Sequence, residues 1–201
     1  MDFTNIKSKL ESLGYGVTCF DTAEEAADYL DVQIRGKTVG FGGSVTLEQM
    51  GLYDRLALNN EVFYHNRLPG GITRAEVCKK ASTAQIYLSS VNGLAETGEV
   101  INIDGNGNRV SSILFGHEKV YFVVGENKIA KDYETALHRA KNIAAPKNAK
   151  RMKAKTPCAA KGDKCYNCET PYRICQALSV LWGAPLHSNF EIILIHEELG
   201  F

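Results

Sequence analysis

Lys119-Val120-Tyr121-Phe122-Val123-Val124-Gly125 is the stretch from which the fold is read. Its β-branched and aromatic residues follow one another without polar alternation, the pattern of a core strand covered on both faces. AQIYLSSV at 84–91 and EIILIH at 191–196 repeat the pattern, and KTVGF at 37–41, EVFYH at 61–65 and EVINI at 99–103 are shorter strand candidates. Helical patterns lie between them. Phe3, Ile6, Leu10 and Leu13 share one face of a helix that Gly14 ends. A second helix starts at Asp21 or Thr22 and runs through EEAADYL; TLEQMGLYDRLAL is helical with Gly51 as its weak point, and TRAEVCKKAS from Thr73 is helical. Ala130, Tyr133, Leu137, Ala140 and Ala144 mark an amphipathic helix expected to stop before Pro146. A last helix is expected from Thr170, with Pro171 in its first turn, to about Leu181, leaving Trp182 in the core. This alternation predicts an α/β fold, a mixed or mostly parallel sheet flanked by helices.

Composition narrows the function. Over 201 residues, Lys+Arg and Asp+Glu both total 23, for a formal net charge of +0, which argues against a general nucleic-acid binder. The N-terminus lacks the apolar segment of a signal peptide and no stretch is long enough to span a membrane, so the expected location is the cytoplasm. The bases are uneven. Lys147, Lys150, Arg151, Lys153, Lys155, Lys161 and Lys164 face only Asp163 within their run, which reads as a solvated linker or as an anion or partner surface.

The chain has six cysteines, of which Cys19 and Cys78 stand apart while Cys158, Cys165, Cys168 and Cys175 cluster. The C-x2-C pair at 165–168 turns two thiolates toward one point, and two further cysteines complete a tetrahedral shell. Structural zinc is the first reading, a 4Fe–4S cluster the second and metal-free thiols or disulfides the third. The spacing differs from the C-x2-C-x2-C run of bacterial ferredoxins. The segment 145–183 is therefore read as a four-cysteine basic module within the chain.

Two loops complete the candidates. Gly40-Phe41-Gly42-Gly43-Ser44-Val45-Thr46 passes from a strand to a helix, where glycines let a ligand approach the backbone and Ser44 either caps the helix or binds an anion. It matches neither a Walker A loop nor G-x-G-x-x-G. Asn92-Gly93-Leu94-Ala95-Glu96-Thr97-Gly98-Glu99 follows a buried strand, and Glu96 is the candidate base or nucleophile there; a solvated loop glutamate is the plain alternative. Asp104-Gly105-Asn106-Gly107-Asn108-Arg109 reads as a turn serving a hairpin, with Arg109 left over as a donor. His65 and His117, at strand edges, are able to line a site.

In combination these segments resemble a family. FGGSVTLEQMGL at 41–52, NGLAETGEVINIDGNGNRV at 92–110 and VYFVVGENKIAKD at 120–132 are similar to the LUD domain, named for lactate utilisation. AAPKNAKR at 144–151, CETPYRICQ at 168–176 and the ending HEELGF resemble its cysteine-bearing, single-domain branch, so that residues 1–201 read as one such domain. The resemblance implies a NagB/RpiA/CoA-transferase-like fold and a role like that of lactate utilisation protein C, working with iron–sulfur oxidoreductase partners in oxidising L-lactate. It implies an anion-binding cleft shared by Gly42, Gly43, Ser44, Thr46, the Glu96-Thr97-Gly98 loop, Asn108 and Arg109. The ligand expected there is lactate or a phosphorylated or acyl compound. A stand-alone enzyme on a small acyl-CoA or sugar-phosphate substrate, and a ligand-sensing module, are the alternatives. A homo-oligomer is compatible with either.

Overall fold

The computed structural model describes residues 2–201. Its helices are α1 (Thr4–Ser12), α2 (Ala23–Gln33), α3 (Val45–Gln49), α4 (Leu52–Leu56), α5 (Arg74–Ala81), α6 (Asn108–Ser112), α7 (Tyr133–Arg139), α8 (Ala145–Arg151) and α9 (Pro157–Lys161). Its strands are β1 (Gly16–Phe20), β2 (Thr38–Phe41), β3 (Glu61–Tyr64), β4 (Ile86–Ser89), β5 (Gly93–Ala95), β6 (Val100–Asp104), β7 (Lys119–Gly125), β8 (Ile129–Ala130), β9 (Ala177–Leu181) and β10 (Phe190–Ile195). Six strands form a wholly parallel sheet in the order β1-β10-β7-β4-β2-β3, and four form a smaller mixed sheet in the order β8-β5-β6-β9. Among the described residues no helix is long and apolar enough to cross a membrane.

The apolar run in β7 is accounted for by burial on both sides. Val120, Phe122 and Val124 enter one core with Phe3 and with Ile6 and Leu10 of α1, while Tyr121 and Val123 enter a second with Ala26 and Leu30 of α2. β10 divides likewise, Ile192 and Leu194 to the first and Ile193 and Ile195 to the second. Capping boxes start α2, Thr22 with Glu25, and α5, Thr73 with Glu76. Gly51, at φ 61°, separates α3 from α4 in the segment read as one interrupted helix. The smaller sheet lies against α7 so closely that a Cβ on Gly93 would stand 2.6 Å from the Ala136 carbonyl oxygen.

Five expectations are corrected. The segment 170–181 turns at 171–172 and becomes strand β9, whose residues Ala177–Leu181 pair antiparallel with Val100–Asp104; pairing along an open sheet edge outweighs the Thr-Pro helix-start signal. Pro146 sits inside the first turn of α8 instead of ending a helix, because the chain passes from α7 through a π-helical turn at Ala140–Ala144 straight into α8. The 104–108 turn leads into α6 and serves no hairpin. Trp182 is 76% exposed, not core. The basic run from Lys147 lies partly on α8 and α9, so it is not a linker throughout.

A cationic cleft beside a four-cysteine pocket

Because the six strands are parallel, their C-terminal ends share one edge, where open α/β sheets bind ligands. Gly42, Gly43 and Ser44 leave β2, His65 leaves β3, Ser90 leaves β4, and Lys128 ends the tight turn after β7. The end of β6, α6 and α8 close the opposite wall. An inner cavity is lined by Gly43, Ser44, Ser90, Asn92, Arg109, Lys128, Asn148 and Arg151, among others. It adjoins an outer one whose lining includes His65, Arg74, Asp104, Asn108, Arg151 and Arg173. Among the described residues no acidic side chain lines the inner cavity, and Asp104 is the sole acidic side chain in the lining of the outer one.

Arg109 ties the walls together. Its Nη1 donates to the Ser90 carbonyl (3.4 Å) and to the Asn102 side-chain oxygen; its Nη2 donates to Asn92 Oδ1 (3.0 Å) and the Ile103 carbonyl (2.6 Å). Gly42 makes room for it: a Cβ there would lie 2.9 Å from Arg109 Cδ. Burial works to raise the Asp104 carboxyl, but the Arg109 charge and the backbone N–H groups of Val110, Asn106 and Arg109 hold it below its ordinary range.

Lys128 is buried, and its Nζ donates to Thr46 Oγ1 and to Ser90 Oγ, both at 2.8 Å. Burial, reinforced by Arg139 and Arg109, pushes it down to about 7. Burial, and next the Arg74 charge, likewise pushes His65 down to about 4, leaving a neutral imidazole at neutral pH. The arrangement offers a small anion fixed positive charge and amide and hydroxyl partners in a partly dry setting.

The sequence-derived candidates separate here. Gly43, Ser44, Asn108 and Arg109 line the cleft, and Gly42 and Thr46 stand directly behind it, Thr46 as the partner of Lys128. Ser44 caps α3, its Oγ accepting from Leu47 N at 3.3 Å. Glu96, Thr97 and Gly98 line neither cavity. They form the turn between antiparallel β5 and β6, at the end of that hairpin remote from Asn92 and Asp104, with Glu96 and Thr97 exposed and Gly98 packed against Leu13. The expectation that this loop shares the cleft is corrected: the short strand β5 carries it away. His117 stacks on Tyr87 and bonds the Ala84 carbonyl instead of lining the cleft. Lys128, Arg74 and Asn148 were not singled out from the sequence, and Arg151 only as one of the bases of 147–164 read as a linker or an anion or partner surface. Lys128 was within reach, three residues past the end of the clearest core strand.

Cys158, Cys165, Cys168 and Cys175, all half-buried, line one small cavity with Thr156, Lys141 and Arg173. Backbone N–H of Asn167 donates to Cys165 Sγ (3.3 Å), Thr156 Oγ1 lies 3.3 Å from Cys158 Sγ, and Arg173 Nη1 donates to the Cys168 carbonyl (3.1 Å). As placed, no three Cys, His, Asp or Glu side chains among the described residues are drawn into a metal-ion shell. The donor chemistry nonetheless suits a thiophilic metal, four thiols facing one small space with cations beside them. No helix begins behind Cys168; the chain runs from there through a turn at 171–172 into β9. Arg173 and Ile174 line both this pocket and the outer cavity, and Ile174 and Ala145 line both it and the inner one.

Comparison with known proteins agrees with this architecture. The solved structure of a DUF162 family protein from Deinococcus radiodurans superposes with a TM-score of 0.54 at 13% identity, covering 95% of this chain and 94% of that one. No curated protein matches the chain in sequence. The family profile described as LUD domain matches residues 4–195, and the chain therefore belongs to the LUD domain family.

Proposed function

We propose that the chain binds a small organic anion in the cleft and acts in lactate utilisation, as an accessory protein or subunit of an iron–sulfur L-lactate-oxidising system. The observation that carries this reading is the convergence of Lys128, Arg109, Arg151 and Arg74 on adjoining cavities that contain a single acidic side chain, Asp104. Lactate and pyruvate complement the cationic lining of the inner cavity in charge. Arg74 and Arg173 in the outer cavity favour a second reading, a larger phosphorylated or acyl-carrier ligand reaching outward, as the NagB/RpiA/CoA-transferase-like classification would suggest. In this proposal Cys158, Cys165, Cys168 and Cys175 hold zinc or, as the alternative, a 4Fe–4S cluster; bound there, zinc would fix the 158–175 segment and a cluster would add one-electron chemistry. A thermal-shift screen against lactate, pyruvate, sugar phosphates and acyl-CoAs tests the cleft. Stabilisation by one of these classes supports the proposal and stabilisation by none overturns it. Anaerobic purification with metal analysis and visible absorption tests the cysteine site: one zinc supports a structural clip, a brown chromophore supports the cluster, and neither removes the metal.

A further inference from the structure

We propose that Lys128 is a carbonyl-capturing amine, condensing with the oxo group of a small oxo acid held in the cleft to form an imine. The inference deepens the anion-binding reading and rests on it. Three observations carry it. First, Lys128 is 4% exposed, yet it lines the inner cavity, and no acidic side chain lines that cavity to pair with it. A lysine buried for structure alone is ordinarily paired with a carboxylate. Second, its Nζ is held by two hydroxyls, Thr46 Oγ1 and Ser90 Oγ, each at 2.8 Å. Hydroxyls orient an amine without fixing its charge, and they relay protons. Third, the charged side chains facing it are all cations: Arg109 of α6 and Arg139 of α7 act on it directly, and Arg151 of α8 lies across the cavity, while Phe201, which also lines it, has its main-chain oxygen bonded by Arg139 Nη1. They disfavour the ammonium form and attract the ligand's carboxylate. The depressed basicity of Lys128, down to about 7, agrees with this setting, since lysines activated by desolvation beside other cations are the ones that attack carbonyls.

The step balances within the site. The Nζ lone pair adds to the carbonyl carbon, the carbonyl oxygen takes a proton and the nitrogen loses one, giving a carbinolamine. Protonation of its hydroxyl through the Ser90 or Thr46 hydroxyl releases water and leaves the protonated imine, which returns that proton to the same hydroxyls to give the imine. Amine plus carbonyl gives imine plus water, with no oxidant or reductant consumed.

The test treats the full chain with glyoxylate, a carbonyl acid small enough to reach any open amine, and cyanoborohydride at neutral pH, followed by peptide mapping. The expected result is labelling of Lys128 at least about tenfold faster than any exposed lysine, as its larger free-amine fraction requires, and loss of that label in Lys128→Arg. Labelling spread over exposed lysines with Lys128 unmodified overturns the proposal, and because that reading is made on the unaltered chain it does not depend on the variant folding. Calorimetric titration with lactate, which lacks a carbonyl, separates the two claims. Lactate binding without trapping at Lys128 overturns the imine alone, whereas failure of both lactate and glyoxylate to bind overturns the cleft reading as well.

Discussion

Lys128 Nζ and Ser90 Oγ stand 2.8 Å apart and join the C-terminal ends of two paired parallel strands, β7 and β4. The bond places a buried cation where the central strands open into the cleft. The chain keeps it there at a cost. Lys128 falls from 10.5 to about 7 on folding, so between those values the unfolded chain holds a proton that the folded chain has released. Stability therefore rises with pH across that window, and the full penalty is felt below it. Lys128→Met is expected to flatten this rise, read as the difference between wild-type and variant urea midpoints from pH 7 to 10. Equal slopes would show that Lys128 is not buried as a cation.

His65 produces a second window in the acid range. Its folded value, about 4, lies below the ordinary 6.5, so the unfolded chain takes up the proton first as pH falls. The contribution of His65 to stability is expected to decline from pH 6.5 toward 4 and to be absent in His65→Gln, measured as the difference in thermal midpoint between the two proteins.

Gly93 tests how the smaller sheet is seated. Its backbone passes so near α7 that Gly93→Ala forces a methyl group against the Ala136 carbonyl. The expected loss is about 1–3 kcal/mol by chemical denaturation. Ligand affinity should weaken with it, because the adjoining Asn92 side chain accepts from Arg109 and lines the cleft. A substitution with no effect on either quantity would mean that this close approach is not maintained in solution.

The cysteine pocket makes a prediction independent of the cleft. If a metal is bound, chelation or Cys168→Ser is expected to lower the melting temperature and to expose 157–176 to limited proteolysis, since metal binding energy in such a site is folding energy. An unchanged melt after complete metal removal would exclude a structural role for the metal.

Periodicity made the parallel sheet legible. β7, β4 and β10 are apolar runs because both faces are covered, and the helices read from Asp21 or Thr22 and from Thr73 start at the capping residues Thr22 and Thr73. β1 was not read as a strand, since GVTCF is short, only half-buried and lies at a sheet edge. β9 was hidden because its conformation is set by pairing with β6, a contact about 80 residues away in sequence, while the local Thr-Pro signal favours a helix. The glycine loop, Asn108 and Arg109 were found from local chemistry. Glu96 misled because a loop after a buried strand looks like a site until the direction of the following hairpin is known. Arg74 on α5 lies far in sequence from Asn148 and Arg151 on α8, and only the fold brings the two helices together.

The most direct test of the central claim, that this cleft binds a small organic anion, is calorimetric titration of lactate and pyruvate into wild type and into Arg151→Glu. Arg151 is exposed, its Nε and Nη2 anchored on Asn148 Oδ1 at 3.1 and 2.9 Å, so the charge reversal leaves the core intact. The account predicts saturable binding to wild type that weakens with added salt and drops at least about tenfold in the variant. Absence of saturable binding, or binding that the charge reversal leaves unchanged, would contradict it.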